Sequence, residues 1–300
     1  MSGNPSLMSL HCGGMSIAVS PQDLKNHLYQ GQRSTVVYTT WAPTAGAAFN
    51  QFSSLHIPTS HFADTALAFA GTPGSRVGRN PLPDPDKLQN WFERLGLRAE
   101  YPVVIYDDGR GLFAGRAWWT LRWAGVGDVR LLNGGFAAWR RAGLETLTGP
   151  GNLPLHSNLV VVPGGMPTAT IDEVKEHLAN PDPEVQLIDT RSPSRFTGRR
   201  EHLDLKAGHI PGAINVPERE LHVDDETWLW KSPEEIRAVF ETAGVNLDTI
   251  DKAIIYSGSG NHSALAIAAL EIAGLPSPRH FVGGWSQWSA VRDNPAERGD

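Results

Sequence analysis

The chain has 300 residues and a formal net charge of −6, from 26 Lys and Arg residues against 32 Asp and Glu residues. This length suggests about two domains, and the 40% of hydrophobic residues is enough for packed cores and too high for a disordered chain. The acidic balance argues against a general nucleic-acid binder or a membrane-surface protein. The single cysteine, Cys12, excludes an intramolecular disulfide framework and a multi-cysteine zinc or iron–sulfur site.

Residues 1–14 are rich in Gly and Ser, and we expect them to form a disordered tail. Cys12 lies in this tail, where we interpret it as an incidental thiol. No basic patch precedes an apolar run, and no stretch approaches the roughly 18 apolar residues of a membrane span. The sequence therefore predicts a cytoplasmic protein with neither a membrane nor a nucleic acid as its partner.

The two halves of the chain share one order of landmarks at an offset of about 150 residues. In each half, an apolar strand pattern ending in Tyr leads through a glycine-containing loop to an apolar helix, a second strand and a Gly-Gly-aromatic segment. The matched landmarks are Tyr106 and Tyr256, helices 116–123 and 263–273, strands 129–132 and 280–282, Trp139 and Trp288, and the His-Ile-Pro runs at 56–58 and 209–211. Such agreement indicates a duplicated domain.

The repeat divides the chain into an N-terminal domain over residues 15–147 and a C-terminal domain over residues 169–300. Residues 148–168 are rich in Gly and Pro and contain a short run of valines. This composition is typical of a semi-extended connector, so we interpret the segment as the linker between the domains.

Short apolar strand patterns alternate with helix patterns in each half. In the second half we predict strands at 186–189, 213–216 and 253–256. Ser232, followed by a proline and two glutamates, is the N-cap pattern of a helix. Continuous apolar strands separated by helices indicate a parallel sheet with helices on both faces, so each half is predicted to be an α/β domain.

The loop after strand 253–256 leads into a helix, at the place where open α/β sheets bind their ligands. Gly258 and Gly260 let the backbone curl so that consecutive N–H groups point into one cradle, and the helix N-terminus adds partial positive charge. Such a cradle favours an anion at its centre, and Ser257 occupies that centre. A tight strand-to-helix turn that binds nothing is the alternative.

Five short runs match the motifs of a known family. They are Asp-Thr-Arg at 189–191, Arg-Phe at 195–196, Gly-His-Ile-Pro-Gly-Ala-Ile-Asn-Val-Pro at 208–217, Tyr-Ser-Gly-Ser-Gly at 256–260 and Gly-Gly-Trp at 283–285. With these runs the chain resembles the tandem-domain rhodanese-type sulfurtransferases, which include the thiosulfate and 3-mercaptopyruvate sulfurtransferases. The resemblance extends from Ser20 to Trp288 and implies two rhodanese-like α/β domains, each with a central parallel sheet flanked by helices.

The resemblance also implies a chemistry for the C-terminal loop. In this family a cysteine opens the loop, takes a sulfane sulfur from thiosulfate or mercaptopyruvate as a persulfide, and passes it to cyanide, a thiol or a protein acceptor. The N-terminal domain is non-catalytic, in keeping with Asp107 at the position equivalent to Ser257, and no metal or organic cofactor is implied. The implied residues that bind a small anionic sulfur compound, or another small anion, are Arg195, Gly258, Ser259, Gly260, Asn261 and His262.

The sequence departs from the family pattern at the position that sulfur transfer needs most. Ser257 stands where the family has its cysteine, and a serine hydroxyl cannot carry a transferable sulfane sulfur. Asn261 and His262 replace the usual Val-Thr, while Ala66 and Asn80 stand at the expected Asp and His of the mercaptopyruvate branch. Several changes at one site favour a drifted or repurposed site over a single engineered Cys-to-Ser exchange.

Three functions stay open at this point. The first is a sulfurtransferase-family member that has lost sulfur transfer and keeps its loop as an anion-binding module. The second is a hydrolase in which His262 activates Ser257, although the loop lacks a Gly-x-Ser-x-Gly nucleophile elbow. The third is a structural or partner-binding role.

Other arginines are candidates for the site. The segment after Arg195 is shorter than in the family, and Arg199 or Arg200 is a candidate for a second substrate-binding arginine. Arg76 and Arg79, in a loop of the N-terminal domain that is rich in Gly and Pro, are predicted to face the cleft between the domains.

Several residues have a structural interpretation instead. We expect His56 and His209 to form hydrogen bonds within their turns, since no histidine has the spacing of a metal ligand. We expect Arg191 to pair with an acidic neighbour. Asp107 and Asp108 place negative charge where a cradle favours an anion, so the first-domain loop is expected to be empty.

Overall fold

The computed structural model describes residues 16–44, 46–224 and 226–299, and the predicted tail with Cys12 lies outside them. Within these segments each half of the chain forms one parallel sheet. No helix in the described segments is long and apolar enough to cross a membrane.

The N-terminal half is built on a twisted parallel sheet. Its strands are β1 (Ala18–Val19), β2 (Thr35–Thr40), β3 (Ser60–Asp64), β4 (Val103–Tyr106) and β5 (Val129–Leu132). Its helices are α1 (Pro21–Tyr29), α2 (Ala47–Ser54), α3 (Thr65–Ala68), α4 (Pro85–Leu95), α5 (Leu112–Trp123) and α6 (Gly135–Arg141). The strand order is β1-β5-β4-β2-β3, and β2 and β4 are buried along their whole length, as central strands covered on both faces should be.

The C-terminal half repeats this architecture. Its strands are β6 (Leu187–Asp189), β7 (Ile214–Asn215), β8 (Ile254–Tyr256) and β9 (Arg279–Phe281), in the order β7-β6-β8-β9. Its helices are α7 (Ile171–Ala179), α8 (Pro193–Phe196), α9 (Pro233–Thr242), α10 (Asn261–Ile272) and α11 (Gly284–Trp288), with 3₁₀ turns at Glu218–Leu221 and Leu247–Thr249. The strands predicted in this half are confirmed to within one residue at either end.

The ends of the helices follow from their capping residues. Ser232 caps α9 as predicted: its hydroxyl accepts from the Glu235 amide at 3.2 Å, and the Glu235 carboxylate accepts from the Ser232 amide at 2.9 Å. The helices α5 and α10 begin earlier than the predicted residues 116 and 263. Gly111 and Gly260 are their N-caps, with φ of +76° and +83°, and glycine adopts this backbone conformation without steric cost.

The duplication extends to individual hydrogen bonds. Tyr106 Oη accepts from the Ile57 amide at 3.1 Å, and Tyr256 Oη accepts from the Ile210 amide at 3.1 Å. Each tyrosine thereby ties the last residue of a central strand to the His-Ile-Pro turn of its own half. The two loops that follow these tyrosines therefore begin at equivalent positions relative to the His-Ile-Pro turn of their own half.

His56 forms the expected hydrogen bond close to its own turn, whereas His209 bonds to α8, 13 positions earlier in the chain. His56 Nδ1 lies 3.0 Å from the Phe52 carbonyl oxygen, and His209 Nδ1 lies 2.9 Å from the Phe196 carbonyl oxygen. Each imidazole also stacks on the same phenylalanine, with ring centroids 4.3 and 3.6 Å apart. In the described part of the chain, no group of three or more His, Cys, Asp or Glu is arranged to hold a metal ion.

The helices α5 and α10 pack against each other and join the two halves. Both are mostly buried, and one hydrophobic core runs from the first half into the second. The approach is close, since a Cβ at Gly115 would lie 2.7 Å from Cδ1 of Leu265. Because each helix begins at the loop that follows a central strand, this contact brings side chains of α5 next to the C-terminal loop.

Candidate active site

The C-terminal loop turns from β8 into α10 over residues 257–260. Ser257 is fully buried at the end of the strand. Gly260 ends the loop in the left-handed region, and a Cβ there would lie 2.8 Å from the Val282 carbonyl oxygen. Both the backbone conformation and the available space therefore require glycine at this position.

The hydroxyl of Ser257 sits at the centre of the loop. Its Oγ accepts from the Gly260 amide at 3.1 Å and shares a hydrogen bond with Ser263 Oγ at 3.1 Å. Ser263 Oγ in turn lies 2.7 Å from Nε2 of His280 on β9. These side chains are fully buried, so a sheltered chain of hydrogen bonds runs from Ser257 through Ser263 to His280.

The imidazole of His280 is neutral at physiological pH. Burial lowers its pKa well below the ordinary value, and the charge of Arg116 lowers it further. The ring meets Trp119 edge-on with centroids 4.5 Å apart, and its Nδ1 has no hydrogen-bond partner among the described residues. His280 therefore orients Ser263, but it is a poor acceptor for a proton.

The N-terminal half holds a second copy of the loop, between β4 and α5, with Asp107 in the place of Ser257. The Asp107 carboxylate accepts four backbone N–H groups. They belong to Gly109 and Gly111 at 2.9 Å from Oδ1, to Phe113 at 3.0 Å from Oδ2, and to Ala114 at 3.2 Å from Oδ2. Burial raises the pKa of Asp107, and these amide groups oppose the shift. The Asp107 carboxylate thus takes up the N–H groups of this loop that an anionic ligand would need.

The two loops align at their N-caps, Gly111 and Gly260, so Phe113 and Ala114 correspond to His262 and Ser263. In the C-terminal loop the amide groups of His262 and Ser263 find no acceptor among the described residues. The shorter Ser257 side chain accepts from Gly260 alone among the loop amides described. The C-terminal loop thus presents free N–H groups where its counterpart holds a carboxylate.

Two arginines flank the loop at Gly258. A Cβ on Gly258 would lie 3.0 Å from Nη2 of Arg79 and 3.1 Å from Nη1 of Arg195. Arg195 Nη2 lies 3.0 Å from Glu201 Oε2 and 2.7 Å from Asp204 Oδ2, and Arg79 also pairs with Asp204. Arg195 lies beside the loop, and Arg79 reaches it from the other half, but carboxylates already balance both charges.

Asn80 is a second residue that reaches the loop from the N-terminal half. Its Nδ2 donates to Ser259 Oγ at 3.1 Å. Ala66, the other position compared with the mercaptopyruvate branch, is exposed on α3. Arg199 and Arg200 lie exposed beyond the end of α8.

Arg116 is a buried cation next to the loop and was not among the predicted site residues. Its guanidinium donates from Nε to the Phe69 carbonyl, and from Nη2 to the Asn80 and Pro81 carbonyls, each at 3.0 Å. Its Nη1 has no partner among the described residues and would lie 2.7 Å from a Cβ on Gly260. Burial lowers the pKa of Arg116 to about 10, which leaves it protonated at neutral pH.

The positive charge of Arg116 therefore acts on the C-terminal loop, because its hydrogen bonds lead to neutral carbonyl groups. The available signal in the sequence was a single arginine in the otherwise apolar first two turns of α5. A charged residue in a helix that is buried on nearly every side needs a specific partner or a function.

The family model described as "Rhodanese-like domain" matches residues 44–142 and again residues 170–291. The chain belongs to the rhodanese family.

Individual relatives of this rhodanese family member are similar over most of their length. A Pseudomonas aeruginosa protein named "Probable 3-mercaptopyruvate sulfurtransferase" is 38% identical over 265 residues, which cover 86% of this chain and 89% of the relative. The 3-mercaptopyruvate sulfurtransferase of Escherichia coli is 34% identical over 252 residues, covering 81% and 83%. The structure of the 3-mercaptopyruvate sulfurtransferase from Leishmania major has a TM-score of 0.81 at 28% identity, covering 94% of this chain and 76% of that one.

His262 of this rhodanese-like chain binds a carboxylate. Its Nδ1 lies 3.0 Å from Oε2 of Glu218, whose other oxygen lies 2.9 Å from Nε2 of His222. Burial opposes the ionisation of Glu218, but the hydrogen bonds from His222 and His262 outweigh it and lower its pKa to about 2. The hydrogen bond between Ser257 and His262 that the hydrolase alternative requires does not form among the described residues, because Glu218 binds the imidazole instead.

The structure also gives the positions of Arg191 and Asn261, two further residues of the sequence predictions. Arg191 pairs with Asp189 at 2.7 Å, both side chains are fully buried, and its guanidinium lies 4.7 Å from the centroid of the Trp285 ring. The prediction of a structural ion pair is confirmed. Asn261 begins α10, and its buried Oδ1 has no partner among the described residues.

Proposed function

We propose that this rhodanese family member binds a small anion in its C-terminal loop and does not transfer sulfur through a persulfide there. The observation that carries the proposal is the Ser257 hydroxyl at the centre of the loop, where the resemblance of the sequence to the family implies a cysteine. Sulfur transfer needs a thiolate that accepts and releases a sulfane sulfur, and an alcohol oxygen forms no such intermediate. The named relatives are sulfurtransferases, so the inherited ligand class is a small sulfur-containing anion such as thiosulfate or 3-mercaptopyruvate.

Anion binding is supported by two sources of positive potential at this loop and by the contents of the equivalent loop in the other half. The amide groups of His262 and Ser263 have no acceptor among the described residues, and they lie in the first turn of a twelve-residue helix. The Arg116 guanidinium lies behind Gly260 with one N–H unpartnered in the described part of the chain. In the other half, the equivalent amide groups already hold a carboxylate, that of Asp107.

Hydrolysis by Ser257 has weaker support, since the serine lacks an effective base. His262 is bound to Glu218, and the hydrogen-bonded chain from Ser257 ends at His280. A proton on His280 would place a second positive charge in a buried site beside Arg116. A serine hydrolase needs a base that takes this proton readily.

The test compares the wild type with Ser257→Cys and Ser257→Ala, all in a Cys12→Ser background that removes the other thiol. We expect turnover of thiosulfate or mercaptopyruvate with cyanide to stay below detection in the Ser257 protein, and the rate of Ser257→Cys to exceed that limit roughly 10³-fold or more, because a missing nucleophile costs orders of magnitude. Calorimetric titration of the wild type with thiosulfate tests binding directly. Robust turnover by the wild type, or absence of thiosulfate binding, contradicts the proposal.

A further inference from the structure

We infer that Asp204 is an internal competitor of the anion: its carboxylate pairs with the two arginines beside the loop, Arg79 and Arg195, and an incoming anion must displace it to bind them. The inference rests on the proposed function, because it concerns access of the anion to that same loop. Asp204 Oδ2 lies 2.7 Å from Arg195 Nη2, and its Oδ1 pairs with Arg79. Its side chain is 3% exposed, so the carboxylate is inserted between the two guanidinium groups.

The position of these arginines places Asp204 at the loop. Nη2 of Arg79 and Nη1 of Arg195 approach a Cβ built on Gly258 to 3.0 and 3.1 Å. Arg79 comes from the N-terminal half, whereas Asp204 and Arg195 come from the C-terminal half. Asp204 therefore closes a bridge between the halves directly beside Gly258.

The local charges are balanced as long as Asp204 stays in place. Arg195 also pairs with Glu201 at 3.0 Å, and Arg191 pairs with Asp189 and lies 3.6 Å from Glu201. The described residues here thus contribute three guanidinium groups and three carboxylates: Arg79, Arg191, Arg195, Asp189, Glu201 and Asp204. An anion that displaces Asp204 can form ion pairs with Arg79 and Arg195 in its place.

Asp204 occupies this position at an energetic cost. Burial raises its pKa, and although Arg79 and Arg195 oppose this effect, the neighbouring Glu201 carboxylate adds to it. The charged groups that face Asp204 are thus Arg79 from the N-terminal loop, Arg195 from α8, and Glu201 from its own segment. Because burial and the charge of Glu201 both disfavour the ionised form of Asp204, an external anion replaces it more readily than it would replace a solvated carboxylate.

The segment that carries Asp204 is held by hydrogen bonds and makes little apolar contact. On one side Glu201 Oε1 accepts from the amides of residues 202–204, and on the other Lys206 Nζ donates to the carbonyls of Val291, Arg292 and Asn294. Leu203 and Leu205 are 66% and 81% exposed, so apolar packing does not hold the intervening residues down. Withdrawal of Asp204 therefore breaks hydrogen bonds of residues 202–204 to Glu201 but costs little apolar packing.

Asp204→Asn tests the inference, because it removes the charge and keeps the size of the side chain. The matched control is Asp251→Asn, which removes one negative charge from an exposed position elsewhere in the same half. Thiosulfate is titrated calorimetrically into the wild type and both variants at one ionic strength. We expect Asp204→Asn to bind about tenfold more tightly than the wild type, and Asp251→Asn to bind like the wild type.

A second variant distinguishes release of the arginines from a general effect of charge. Adding Arg195→Gln to Asp204→Asn is expected to abolish the gain in affinity. An Asp204→Asn protein that binds thiosulfate as the wild type does, or more weakly, overturns the inference and leaves the proposed anion binding intact. If neither the wild type nor Asp204→Asn binds thiosulfate, the proposed function fails, and this inference fails with it.

Discussion

Asp107 and Ser257 directly follow equivalent strands, and the Asp107 carboxylate accepts from a set of amide groups that the Ser257 hydroxyl leaves without an acceptor in the described part of the chain. Four N–H groups donate to Asp107, whereas one donates to Ser257 among the described residues. The same tyrosine contact fixes both positions, since Tyr106 and Tyr256 each bind the amide of an Ile-Pro turn at 3.1 Å. One chain thus contains an occupied and an open form of the same loop.

Asp107→Asn is expected to destabilise the protein by about 2–3 kcal/mol. The NH₂ group of an asparagine cannot accept from Phe113 and Ala114, so two N–H groups at the start of α5 lose their partner. Urea unfolding followed by tryptophan fluorescence measures the loss. The comparison variant, Ser257→Ala, removes one amide contact and is expected to cost about 1 kcal/mol. Equal losses in the two variants would contradict the different occupancy of the two loops.

Glu218→Gln is expected to cost about 3 kcal/mol at neutral pH, because it breaks a buried charged contact with His222 and His262. Glu218 has a folded pKa of about 2 against an ordinary value of 4.5, so its contribution is present above pH 4.5 and is lost as the pH falls toward 2. Denaturation of wild type and variant at several pH values measures this difference. Glu220→Gln, on the same 3₁₀ turn but exposed, is expected to change stability by less than about 0.5 kcal/mol.

The parts of the site that lie close together in sequence were predictable. The apolar strand 253–256, the two glycines and the following helix specify the loop locally, so the place of Ser257 followed from the pattern of residues. The N-cap role of Ser232 and the ion pair of Arg191 with Asp189 are likewise short-range, and both are confirmed.

The parts that depend on distant residues were not predictable from the pattern. Arg116 reaches the loop because α5 packs on α10. The sequence of neither helix alone predicts that the two helices are in contact. His262 turns to Glu218, which is 44 positions away along the chain, instead of its near neighbour Ser257. The pairing of Arg79 with Asp204 joins the two halves, so it exists only once both have folded and docked.

His280→Gln is expected to reduce the loss of stability at acid pH. The folded pKa of His280 lies well below 6.5, so the unfolded chain binds more protons than the folded one as the pH falls below 6.5. Between pH 7.5 and pH 5 this difference costs the wild type at most about 2 kcal/mol, the value for an imidazole that titrates only in the unfolded chain, and glutamine does not titrate. Thermal or urea unfolding of both proteins at the two pH values gives the effect. The same acid-induced loss in both proteins would show that His280 is protonated in the fold.

Gly260→Ala is expected to destabilise the protein by about 3 kcal/mol or more, and Gly143→Ala by about 1 kcal/mol. Both glycines have positive φ, of +83° and +67°, so alanine carries a similar backbone penalty at each. A Cβ at Gly143 meets nothing within 4 Å, whereas one at Gly260 lies 2.7 Å from Arg116 Nη1 and 2.8 Å from the Val282 carbonyl oxygen. The carbonyl belongs to the backbone and cannot yield, so the loop must move away from the guanidinium, and thiosulfate binding should fall together with stability. Equal losses of stability in the two variants would contradict this prediction. They would mean that the loop can move away from Arg116 and Val282 without a cost in free energy.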